Sequence, residues 1–236
     1  MMKLTTQQID ELFTFTRQHY VEWYDLQSEL VDHLANAIEA EWEENPKLTF
    51  DEVLNKEFKK FGVFGFMDVV EKRQAVLGKK YNGLVWYHFK DFFGVPKIVL
   101  TIAMTLVLFS ILKISQYSEW IVVGLYLILI LFTFYEIFKN NKYRKEKKQA
   151  KQKRWLFEEI INQYGSFSGA IIFPVNLFSR MFYHSEKYIG NDFWTLGLSF
   201  FFVLLVLLIF IIFKIIPFKA EEYLRATYPE YKFEAT

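Results

Sequence analysis

The stretch Phe193–Phe213, FWTLGLSFFFVLLVLLIFIIF, runs for twenty-one residues without a charge, and Phe200 to Phe213 is wholly apolar. About 20 such residues, wound as a helix, span the ~30 Å hydrocarbon layer of a bilayer. Lys214 and Lys219 follow, where long amines can reach the headgroups, and Trp194 sits at the opposite end as an interfacial aromatic. Backbone amides find no water inside lipid, so the segment must be helical.

Working outward, Trp120 to Phe138 repeats the pattern with Glu136 as its only charge. Ile98 to Leu112 is shorter and is bracketed by Lys97 and Lys113. Phe167 to Phe182 is less uniform, with Pro174, Asn176 and Arg180 inside it. It reads as a fourth span, the alternative being a re-entrant or interfacial helix. The composition agrees: 53% of the 236 residues are hydrophobic and 27 are Phe, more apolar side chain than a water-facing domain can hide.

Charge orients the chain. Residues 72–97 carry six basic side chains and one acidic, and residues 139–154 carry nine and one. Positively charged connections stay in the cytoplasm. Both segments therefore belong inside, with Ile114 to Glu119 outside. Four spans with both termini cytoplasmic satisfy the rule, and the expected location is the bacterial inner membrane. Met1 to Tyr20 lacks the apolar core of a signal peptide, and neither end carries a lipidation motif. The absence of cysteine excludes disulfides and thiolate chemistry.

Residues 1–58 differ in kind, with thirteen acidic and four basic side chains. Thr5 with Gln8, and Thr49 with Glu52, have the spacing of capping boxes. They predict helices over Thr6 to Arg17 and Phe50 to Phe61. Between them, Leu26, Leu30, Leu34, Ile38 and Trp42 recur every fourth residue and predict a second helix that Pro46 ends. A fourth helix is expected from near Phe64. The expected fold is all-α: an integral membrane bundle of four transmembrane helices with an N-terminal soluble helical domain. The expected divisions are 1–78 for the acidic domain and 79–96 for a juxtamembrane linker helix. The bundle occupies 97–216 with a basic cytoplasmic loop at 139–165, and the tail 217–236.

The order Glu29-Leu30-x-x-His33-Leu34, Ile38-Glu39, Thr49-x-x-Glu52 and Phe58-x-x-Phe61-Gly62 resembles the permease prefix domain of bacterial efflux permeases. It is also similar to the helical domain of small membrane proteins partnered with PadR-type regulators. The resemblance covers about residues 20–70 and departs from the usual pattern at Val53 and at Asn45-Pro46. It implies a cytoplasmic, non-catalytic interaction module. It carries no active site to transfer.

The candidate interaction face is Glu29, Asp32, His33, Glu39 and Glu43. Glu29, Asp32 and His33 lie one turn apart, but a single histidine makes a poor metal site, and no metal or cofactor is expected. The acidic run lacks the spacing of a calcium loop. It could instead dock on the basic segment. That segment, Lys142, Arg144, Lys145, Lys147, Lys148, Lys151, Lys153 and Arg154, is read as a membrane-surface loop facing anionic headgroups rather than nucleic acid. Trp155, Leu156, Phe157, Ile160 and Ile161 are expected to continue it as an interfacial helix.

The spans hold no Ser-His or Asp-Asp pair, no His-Glu-x-x-His and no Walker motif. The resulting expectation is a non-enzymatic regulatory, scaffolding or accessory protein that binds a protein partner or a second copy of itself. A small transporter or channel component ranks second, with Pro174 and Asn176 as its broken helix. A membrane enzyme acting on lipid ranks third, with only Glu136, Glu158, Glu159 and His184 to offer.

Overall fold

Two short polar sequences start the first and third helices. Thr5 Oγ1 accepts from the Gln8 amide at 3.3 Å and Gln8 Oε1 accepts from the Thr5 amide at 2.9 Å, which opens α1, Thr6–Gln18. Thr49 and Glu52 make the same reciprocal pair at 3.4 and 2.9 Å and open α3, Phe50–Lys59. Each box satisfies two amides that the first helical turn would leave unbonded. Between them α2, Tyr24–Glu44, buries Leu26, Leu30, Val31, Leu34, Ile38 and Trp42 as its spacing predicts. Trp42 Nε1 donates to the Leu48 carbonyl at 3.0 Å and closes the turn into α3.

The computed structural model describes residues 3–149, 153–164 and 191–233. The predicted span Phe167 to Phe182, together with Lys151 and His184, lies outside the described residues. Within them the chain is helical and contains no strand.

After α3 the chain turns through Gly62 and Gly65, both at positive φ. A Cβ on Gly65 would stand 2.9 Å from the Phe58 ring. That close approach lets Phe58 and Phe66 meet at 4.9 Å, with Phe15 at 5.1 Å from Phe58 and Phe61 at 4.8 Å from Phe66. The next helix, α4, Met67–Asp91, begins three residues later than expected and runs unbroken across residues 78 and 79. The expected division at that point therefore falls inside one helix.

Three helices are long and apolar enough to cross a membrane: α5, Lys97–Ile114; α6, Ser118–Gln149; and α8, Asp192–Phe218. Helix α8 is the central one, with 56% of its apolar stretch buried, against 17% for α5 and 28% for α6. Near its end the backbone widens into a π-helical turn, Ile211–Ile215. Pro217, two residues on, lacks an N–H for the Phe213 carbonyl and crowds it with its ring. A widened turn relieves that conflict.

Two expectations need correction. The basic stretch after Phe138 is not a loop: α6 continues through Lys139 to Gln149, 32 residues in all. Lys, Arg, Gln and Glu are good helix formers, and nothing between 139 and 149 breaks the helix. The segment after it, α7, Leu156–Asn162, is no surface helix either. Trp155, Leu156, Phe157 and Ile161 are among the most deeply buried side chains of the protein. They join the same apolar core as the first four helices, the end of α8, and the α-helix that follows it, α9, Ala220–Thr227.

Candidate functional site

Three groups of polar side chains stand out on this scaffold: the acidic face of α2, the ion pairs where α6, α7 and α8 meet, and the junction that fastens α2 to α7.

On α2, Glu29, Asp32, His33 and Glu43 are exposed. The His33 ring lies edge-on to Phe61 at 5.9 Å. Glu39 is turned to another use, since its Oε1 accepts from the Leu4 amide at 3.0 Å and ties down the start of the chain. Glu41 is also engaged, with Lys56 at 2.7 Å, and that contact holds its carboxyl below the usual range. Among the described residues no three His, Asp or Glu side chains gather closely enough to hold a metal ion.

On the extension of α6, the basic residues divide by partner. Arg144 donates to Glu159, and Lys147 reaches Glu158 at 2.5 Å. Burial would raise the Glu159 pKa, but the hydrogen bonds from Arg144 and Gln163 and the charges of Arg144 and Arg154 outweigh it and hold the carboxyl low. Lys142 has only Glu146, at 3.9 Å, and Lys145 and Lys148 make no ion pair among the described residues. Lys142, Arg144, Lys145 and Lys148 line a cleft of about 550 Å³ with Phe138, Asn141, Arg154 and Glu159. Lys153 instead sits over the Tyr24 ring at 4.1 Å. About two turns before Arg144, toward the apolar part of α6, Glu136 pairs with Lys214 of the π turn at 2.7 Å. Thus Glu136, Glu158 and Glu159 are each held by a cation rather than gathered around an open site.

The junction was not legible in the sequence. Asp25, in the first turn of α2, accepts from the Leu156 amide at 3.0 Å and from the Tyr228 hydroxyl at 2.8 Å. Tyr228 Oη in turn accepts from the Phe157 amide at 3.2 Å. The first two amides of α7 are therefore capped from distant parts of the chain, because Trp155, at the cap position, has no side-chain oxygen. The Trp155 ring packs against Tyr24 at 5.4 Å and Tyr228 at 4.7 Å. The Tyr24 amide donates to the Arg154 carbonyl at 2.7 Å, and Arg154 pairs with Glu22. The acidic and basic segments do meet, but through Glu22 and Asp25 rather than the run from Glu39 to Glu44. Burial raises the Asp25 pKa, and the bonds from Leu156 and Tyr228 pull against it without cancelling it. The tail adds His88 Nε2 to Tyr223 Oη at 2.6 Å and Lys80 Nζ to Thr227 Oγ1 at 2.8 Å.

No family model, no characterised protein and no solved structure matches this chain. The chemistry must therefore be read from these side chains themselves. They form fastenings, a charged cleft and an acidic surface.

Proposed function

We propose that the protein is a non-enzymatic, multi-pass component of the bacterial inner membrane, with four spans and both termini cytoplasmic. It acts as a regulatory, scaffolding or accessory subunit, binding a protein partner through the cytoplasmic helical head of residues 1–78 or through its spans. The fourth span is Phe167 to Phe182. The resemblance of residues 20–70 to the permease prefix domain supports the same role.

The observation that carries this reading is how the ionisable groups are used. Those that pack against the apolar helices are spent in pairs, Glu136 with Lys214, Glu158 with Lys147, and Glu159 with Arg144. Among the described residues the stripe Glu29, Asp32 and Glu43 makes no such pair and faces solvent on a helix anchored at its base by Asp25. An exposed, unpaired acidic stripe on an anchored helix fits recognition of a basic protein surface better than it fits catalysis.

Purification from native membranes in mild detergent tests the proposal. A stoichiometric protein partner that is retained by the wild type and lost by a Glu29→Lys, Asp32→Lys, Glu43→Lys variant is the expected result. A clean, partnerless homo-oligomer from native membranes overturns it. Protease protection of residues 139–154 from the cytoplasmic side would overturn the orientation alone.

A further inference from the structure

Helix α6 carries one continuous stripe that changes character along its length. Leu131, Phe134, Tyr135 and Phe138 recur at three- and four-residue spacing and are 61–81% exposed. The same spacing continues through Lys142, Lys145 and Lys148, all exposed. Residues three and four apart share a helix face, so the apolar and basic halves lie in line. The basic half opens into the cleft of about 550 Å³, and Phe138 forms its apolar lip. Five cations and one carboxylate line that cleft, and the carboxylate, Glu159, is already held by Arg144 and Arg154. The Arg144 Nε is buried there with no hydrogen-bond partner among the described residues.

We propose that this cleft is a binding site for the phosphate of one anionic glycerophospholipid. Its acyl chains lie along Leu131, Phe134, Tyr135 and Phe138, and its headgroup sits among Lys142, Lys145 and Lys148. A basic helix face alone would attract any anion. The apolar track running into it selects a molecule with chains attached to the phosphate. The proposal rests on the membrane reading given above but not on the partner reading.

The full chain, purified in neutral detergent, is offered phosphatidylglycerol or phosphatidylcholine, and retained lipid is counted by native mass spectrometry. Wild type is expected to keep one phosphatidylglycerol per chain with about tenfold preference, given the attraction of lysines to anionic headgroups. Lys142→Ala, Lys145→Ala and Lys148→Ala together should abolish the preference. These side chains are exposed on a helix and alanine favours helix, so the variant should remain monodisperse. Removing Lys72, Lys79 and Lys90 from α4 in the same way should leave the preference intact. Equal retention of both lipids by wild type, survival of the preference in the α6 variant, or equal loss in the α4 variant would each overturn the site. Excess inorganic phosphate should leave the bound lipid in place; if it displaces the lipid, the ligand is a soluble phosphate compound and the lipid assignment falls. A chain monodisperse without detergent overturns this proposal together with the membrane reading. One that needs detergent but shows no preference overturns the site alone.

Discussion

Helix α2 and helix α5 solve opposite problems with similar residues. In α2 the leucines and isoleucine are buried, and Glu29, Asp32 and Glu43 are exposed. In α5 the arrangement is turned inside out. Thr101 and Thr105 are buried, while Leu100, Ile102, Leu106 and Val107 are 50–59% exposed. Helix α6 repeats this, with Thr133 and Glu136 buried and Ile128, Leu131 and Phe134 exposed. The buried hydroxyls bond to their own helix, Thr105 to the Thr101 carbonyl at 2.9 Å and Thr133 to the Leu129 carbonyl at 2.8 Å. A chain that turns leucine inward at one end and outward at the other is built for two solvents.

The largest test of that contrast compares two tryptophans. Trp155 is 1% exposed at the junction and Trp120 is 70% exposed at the start of α6. Trp155→Ala should cost about 3–5 kcal/mol, as loss of a buried aromatic does. Trp120→Ala should cost less than about 0.5 kcal/mol. Thermal unfolding in detergent, followed by proteolysis of the head, measures both. Similar costs would mean that the head is not fastened through Trp155.

A somewhat smaller effect tests the outer face of α5. Leu106→Lys places a charge among exposed apolar side chains. In water it would be nearly silent, whereas at the centre of a span it costs about 2.5–3.5 kcal/mol of insertion. The fraction of chain integrated into membranes should fall, and an unchanged fraction would break the comparison.

The smallest expected effect is a slope. Because burial raises the Asp25 pKa, the folded protein holds that proton more tightly than the unfolded chain. Its stabilising contribution is full below the ordinary value of 3.8 and is lost as pH rises through the elevated folded value. Asp25→Asn keeps an acceptor for the Leu156 amide and removes the titration. Melting temperatures of wild type minus variant should decline over that rise, and a flat difference would remove the linkage.

Much of this was readable from local pattern. The fourfold spacing from Leu26 to Trp42 and the two capping boxes specify α2, α1 and α3, because helix periodicity and caps are short-range features. The long uncharged stretches likewise mark α5, α6 and α8. Less legible was what depends on distant partners. Trp155 and Phe157 follow a basic run and read as interfacial, whereas contacts with Tyr24, Tyr228 and Tyr231, far away in the chain, make them core. Charge marks where the apolar part of α6 stops, not where the helix ends. Glu39 looked like surface until Leu4 bonded to it.

The unbroken length of α6 has a mechanical consequence. Its 32 residues make a rod about 48 Å long, while the hydrocarbon layer is about 30 Å thick. For a chain seated in a bilayer, the surplus stands in the water as a rigid post. Arg144 and Lys147 strap α7 to that post, and Asp25 straps the head to α7. The post then acts as a ruler that sets the standoff of the head from the lipid surface. Tilting α6 would swing the acidic stripe through an arc, with no flexible joint along the post to absorb the motion.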